Sequence, residues 1–123
     1  MNNISNRVKE QAEFLNDIAT LLSYIKFEWP DLVVTGGELA RTEYQQLEYV
    51  RTGKSETMKS NHLDRRAIDL NFYQKNTGIW VGNTEHSKNL LRQIGEKWES
   101  LNKKNRWLGN GSFLDTAHFE RQK

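Results

Sequence analysis

Apolar residues recur in steps of three and four from Val8 through Ala12, Leu15, Ile18 and Leu22 to Ile25, which predicts an amphipathic helix over Asn6 to about Phe27 with that stripe turned to the core. Ser5 is placed to cap its start, and Trp29-Pro30 ends it, since the residue before a proline is forced out of helical geometry. The pattern then shortens. Leu32-Val33-Val34-Thr35 is a β-branched run that predicts a strand stopped by Gly36-Gly37. Helical spacing returns from Thr42 to about Thr52 and stops at Gly53, and the polar run Ser55 to Asn61 predicts a loop. From His62 the chain alternates through Ala67, Ile68, Asp69, Leu70, Asn71 and Phe72, as a central strand does, and Ile79-Trp80-Val81 is expected to pair with it across the Lys75-Asn76-Thr77-Gly78 turn. A long helix follows from about Glu85 to Lys103, with Leu90, Leu91, Ile94, Trp98 and Leu101 inward, and then the segment Trp107 to Glu120. Helices and strands interspersed around hairpin connections, without repeating βαβ units, predict an α+β fold.

Composition narrows the classes. A chain of 123 residues is read as one domain, residues 1–123. It contains no cysteine, so disulfides and thiolate metal sites are excluded. The net charge is +2, with basic residues spread along the chain apart from Arg65-Arg66 and Lys103-Lys104, so no nucleic-acid partner is expected. No run approaches the roughly twenty apolar residues of a membrane span, and stable membrane insertion is not expected. Residues 1–26 are interrupted by Lys9, Glu10, Glu13 and Asp17, which a secretory signal core would not contain. The chain is therefore expected to be made in the cytoplasm without a signal peptide, and to act as a monomer.

The chemistry lies in three short stretches, Ser60-Asn61-His62, Ala67-Ile68-Asp69 and Asp115-Thr116-Ala117-His118. Zinc accepts imidazole nitrogen and carboxylate oxygen, and a catalytic zinc site uses three protein ligands so that a fourth position stays open. His62, Asp69 and His118 supply that count. Asp115 stands three residues before His118, near enough for both side chains to converge on one ion if the chain turns there, and it is the candidate general base and acid. His86 has no matching carboxylate spacing and is set aside.

Ser60-x-His62, Ala67-x-Asp69, Trp107 with nearby glycines, and Asp115-x-x-His118-Phe119-Glu120 together resemble the M15 family of zinc D-Ala-D-Ala carboxypeptidases and L-alanyl-D-glutamate endopeptidases, especially its small phage endolysin-like members. Upstream, Gly36-Gly37-Glu38-Leu39-Ala40-Arg41 through Gln45 is similar to the family's segment in which a strand ends in an arginine. The resemblance implies a hedgehog/DD-peptidase-like fold: a small antiparallel sheet with helices packed on one side and zinc in a cleft on the other. It makes His62, Asp69 and His118 the Zn2+ ligands and Asp115 the catalytic acid/base. It also gives Arg41 an oxyanion- or substrate-orienting role, and Ser60 and Trp107 substrate-binding roles.

The implied substrate is the stem peptide of peptidoglycan, cut by an endolysin-type L-alanyl-D-glutamate endopeptidase that reaches the wall after release. A D-Ala-D-Ala carboxypeptidase is the alternative, and a non-catalytic zinc-stabilised wall-binding module is the alternative of another class. The chain departs from the family at Arg65, where relatives carry glycine, so either a relaxed turn or a strained residue is expected there.

Overall fold

The computed structural model describes residues 4–37, 47–48, 51–52, 65–78, 81, 85–110 and 115–122. Helix α1 spans Asn6–Glu28 and begins as expected, with the Ser5 side chain accepting the Val8 N–H at 3.3 Å. It ends at Trp29, whose N–H still donates to the Ile25 carbonyl before Pro30 turns the chain into strand β1, Leu32–Gly36. Strand β2 is Ala67–Gln74, helix α2 is Glu85–Leu101, strand β3 is Asn105–Trp107, and strand β4 is His118–Arg121. A 3-10 turn, Leu108–Asn110, follows β3.

The four strands form one sheet in the order β1-β2-β4-β3, every neighbouring pair antiparallel. Antiparallel order lets one face pack while the other stays available for chemistry. Leu70 and Phe72 of β2 and Phe119 of β4 share one core with Phe14, Ile18, Leu21 and Ile25 of α1 and Leu90, Leu91, Ile94 and Trp98 of α2. Both helices therefore cover the same face. Side chains alternate along a strand, so Asp69, Asn71 and Tyr73, with His118 and Glu120 across from β2, belong to the opposite face. The α+β class and the helices-on-one-side arrangement are as expected.

Trp98 fixes α2 to the sheet. Its ring meets Phe14 and Phe119 edge-on at 5.6 and 6.2 Å, and its Nε1–H donates to the carbonyls of Arg106 and Glu120 at 3.2 and 3.0 Å. A buried tryptophan thus has both its apolar body and its polar tip satisfied, one on the core and the other on β3 and β4.

Several expectations are corrected. On α1 the buried stripe is Phe14, Ile18, Leu21 and Ile25, whereas Val8 and Leu15 remain 48% and 58% exposed and Leu22 is also exposed. The face turned inward sets the large Phe14 ring, rather than Leu15, edge-on against Trp98, and burial of that ring removes much apolar surface from water. The same rotation lets Glu13 and Asp17 reach the buried Arg121 guanidinium at 2.8 and 2.6 Å. The central strand starts at Ala67 instead of His62, because Arg65 adopts a left-handed φ of 55° that no strand can continue through. Of the two outcomes expected at Arg65, the structure shows the strained one. Helix α2 stops at Leu101 because the Asn102 side chain and carbonyl accept the N–H groups of Lys104 and Asn105 at 2.8 and 2.9 Å, forming a turn into β3. Val81 does face β2, its N–H donating to the Phe72 carbonyl at 2.9 Å, while Ile79 and Trp80 lie outside the described residues. Of the helix expected over Thr42 to Thr52, Leu47, Glu48 and Arg51 are helical, and the remainder, like the Ser55 to Asn61 loop, lies outside the described residues apart from Thr52.

Candidate metal centre

Asp69 and His118 are direct partners in the register of β2 with β4. Opposed residues of an antiparallel pair hold their Cβ atoms about 4.5–5.5 Å apart, so the two side chains stand together on the open face. His118 Nδ1 is 3.4 Å from Asp69 Oδ1. The strand alternation in the sequence therefore delivers one carboxylate and one imidazole to the same spot.

Asp115 arrives by a turn. Its carbonyl accepts the His118 N–H at 3.3 Å and its own Oδ1 accepts the Ala117 N–H at 3.2 Å, so backbone and side chain both bend the chain between the two residues. The Ala117 carbonyl in turn accepts the Leu70 N–H at 2.8 Å, tying the turn to β2 beside Asp69. Among the described residues, ligand atoms of Asp69, Asp115 and His118 all lie within 4.8 Å of one another. Around a tetrahedral zinc, neighbouring ligand atoms stand about 3.4 Å apart given bond lengths of about 2.0–2.2 Å, so the group needs only side-chain adjustment to share one ion. One imidazole nitrogen with carboxylate oxygens and no thiolate is a donor set that zinc accepts.

Trp107, expected at the substrate, packs behind the turn that carries Asp115. It is only 5% exposed, its indole lies where a Cβ on Gly95 of α2 or on Gly109 would overlap the ring, and its Nε1–H donates to the Thr116 carbonyl at 3.0 Å. Its contribution is to hold the turn that carries Asp115, together with the Asp115 N–H donated to the Leu108 carbonyl at 3.1 Å. A glycine inside a helix costs about 1 kcal/mol relative to alanine, and at Gly95 that cost makes room for the ring.

His118 is surrounded by negative charge. Besides Asp69 it meets Glu120, whose Oε1 is 2.7 Å from Nε2. Burial disfavours the imidazolium, but the contacts with the Asp69 and Glu120 carboxylates outweigh it and push the His118 pKa from 6.5 up to about 9.

The cluster thus brings together Asp69, Asp115 and His118 among the expected residues. His62, Arg41 and Ser60 lie outside the described residues. His86 is exposed and lines a surface groove with Trp29, Gln74 and Leu90 that contains none of the three donors. Glu120 was not assigned from sequence, although its position two residues beyond His118 on a strand signals a shared face. Gly37 was not assigned either; its N–H donates to the Asp69 carbonyl at 2.6 Å, so the end of β1 steadies the backbone of a donor residue.

Known proteins share this fold and part of this sequence. The chain resembles, with a TM-score of 0.66 and 21% identity, the crystal structure of the Serratia marcescens L-Ala D-Glu endopeptidase ChiX, over 97% of this chain and 89% of that one. That likeness is one of fold. Among curated proteins no sequence matches. A family profile described as D-alanyl-D-alanine carboxypeptidase, of the M15 peptidases, matches residues 53–121. The match takes in more than half of the chain and all three clustered donors, and the chain belongs to the M15 peptidase family.

Proposed function

We propose that this chain is a zinc peptidase that hydrolyses the stem peptides of peptidoglycan, acting as an L-alanyl-D-glutamate endopeptidase of the endolysin type. The observation that carries the reading is the convergence of Asp69, Asp115 and His118 on one point of the open sheet face, within a chain of peptidase family. His62, Asp69 and His118 hold the metal, and Asp115 is the proton carrier. When bound, zinc polarises the scissile carbonyl and lowers the pKa of water toward neutrality.

The chain's own residues do the rest. Asp115 accepts the proton that the attacking water loses as its oxygen bonds to the carbonyl carbon. It returns that proton to the amine nitrogen as the C–N bond breaks, which balances the hydrolysis. Its carboxylate is held for this by the Ala117 N–H and by the turn that Trp107 supports. Arg41 stabilises the charge that develops on the carbonyl oxygen, and Ser60 contacts the substrate, both on the strength of the family resemblance.

The endopeptidase reading draws support from the relative's activity, and the family description favours a second reading, removal of a terminal D-alanine. The two use the same chemistry and differ in the bond cut. No helix among the described residues is long and apolar enough to cross a membrane, and the proposed site of action is the wall after release. Mass spectrometry of purified peptidoglycan digested by the zinc-loaded protein tests the reading. New amino-terminal D-glutamate or D-isoglutamine supports the endopeptidase, loss of one terminal D-alanine supports the carboxypeptidase, and intact stem peptides refute both.

A further inference from the structure

Glu120 is the carboxylate nearest to His118, yet it is outside the three-donor group. Its Oε1 contacts Nε2, while Asp69 lies toward Nδ1 on the other side of the ring. A neutral imidazole donates from one nitrogen and accepts at the other, and an ionised carboxylate only accepts. The 2.7 Å contact therefore requires the proton on Nε2. With that proton held on Nε2, Nδ1 is the ring nitrogen that faces Asp69, and it offers a lone pair once its own proton is given up.

Glu120 is well placed to enforce this arrangement. It sits in β4 between two partner strands, registered with Ala67 on one side and Arg106 on the other. Its carbonyl is held by the Trp98 indole N–H, so the backbone from which the carboxylate projects is locked to α2. The side chain is mostly buried, which strengthens a charge-assisted hydrogen bond relative to one in water.

We propose that Glu120 is a positioning residue of the metal centre: by accepting the Nε2 proton it fixes the tautomer and ring orientation of His118, so that Nδ1 is the nitrogen presented to the metal. The proposal rests on the metal reading given above. Carboxylates behind a ligating histidine act in this way in general, and their loss typically weakens metal affinity by about 10–100-fold.

The test uses the full chain with zinc alone as the probe. Nitrogen-15 spectra of the zinc-loaded wild type should show His118 coordinated through Nδ1 with Nε2 protonated. In chelator competition, Glu120→Leu should bind zinc about 10–100-fold more weakly than wild type. Glu120→Gln, which keeps an acceptor oxygen in place, should recover most of that loss. A purely structural role for Glu120 would lower the melting temperature of the metal-free chain and leave zinc affinity of the folded protein unchanged. Unchanged affinity in Glu120→Leu, or zinc on Nε2 in the wild type, overturns the proposal. Should Glu120→Leu fail to fold, the wild-type spectrum and the Glu120→Gln affinity decide. Absence of zinc binding by the wild type itself would instead refute the metal reading, and the proposal with it, before any substitution is made.

Discussion

Asp69 and His118 are cross-strand partners, and their pairing depends on a register that Trp98 and Arg121 help to hold from the other face of the sheet. A slip of one residue would turn every side chain of β4 over. His118 would then enter the core and Phe119 would meet the solvent face. The candidate metal site and the core thus depend on the same alternation.

The division of labour within the cluster is open to direct test. Asp115→Asn retains an oxygen that can accept the Ala117 N–H, so the turn should persist. Zinc content should stay near that of wild type while hydrolysis falls by about a hundredfold or more. Loss of zinc in this variant would make Asp115 a ligand, and near-normal turnover would remove it from the chemistry.

The raised pKa of His118 has a signed consequence. The folded chain without metal keeps its His118 proton up to about pH 9, while the unfolded chain gives it up near 6.5. The associated stability is therefore complete below about pH 6.5 and is lost as pH rises toward 9. Zinc must displace that proton, so zinc affinity should rise with pH over the same interval. Calorimetry at pH 7 in buffers of different ionisation enthalpy should show release of about one proton from His118 on zinc binding. No proton release, with affinity independent of pH, would contradict the assignment of His118 as a ligand.

How much of this was legible beforehand differs by element. The helix over Asn6 was readable because its cap and its proline stop are local, and the α2 core positions because Leu90, Leu91, Ile94 and Trp98 keep strict helical spacing. The buried face of α1 differs from the expected stripe because Phe14, Ile18, Leu21 and Ile25 form a second apolar stripe on the same helix, and the residues that meet this face, Trp98 and Arg121, lie far along the chain. Residue type and spacing single out Asp69 and His118 as candidate ligands and Asp115 as the candidate acid/base. They do not reveal the convergence of the three, since it needs the β2–β4 register and the Asp115 turn. The substrate role of Trp107 follows from the family resemblance alone, whereas its packing against Gly95 and its hydrogen bond to the Thr116 carbonyl depend on contacts between separate elements that spacing does not reveal.

Arg121 should be costly to remove. It is 1% exposed and serves Asp17, Glu13 and Asn105 at once. Truncating one member of a buried ionic network typically costs about 3–5 kcal/mol, and Arg121→Ala should lose stability of that order in urea denaturation. Glu13→Ala removes a partner that is largely exposed and should cost less than about 1 kcal/mol. Equal effects from the two changes would show that Arg121 does not anchor α1.

Arg65→Gly should stabilise the chain. A left-handed φ costs a residue with a side chain about 1–2 kcal/mol, and glycine avoids that while giving back about 0.5–1 kcal/mol through its freer unfolded state. The net expectation is a gain of a few tenths to about 1 kcal/mol in denaturant unfolding. A loss of stability would mean that the Arg65 side chain makes contacts worth more than its backbone strain.

The central claim is that one zinc ion held by this cluster makes the chain a peptidase, and it is tested most directly by titrating zinc into the chelator-stripped protein while following hydrolysis of a peptidoglycan stem peptide. No hydrolysis is expected in the stripped chain, followed by a linear recovery that breaks at one equivalent of zinc. Full hydrolysis without metal, or none after an equivalent has bound, would contradict that claim.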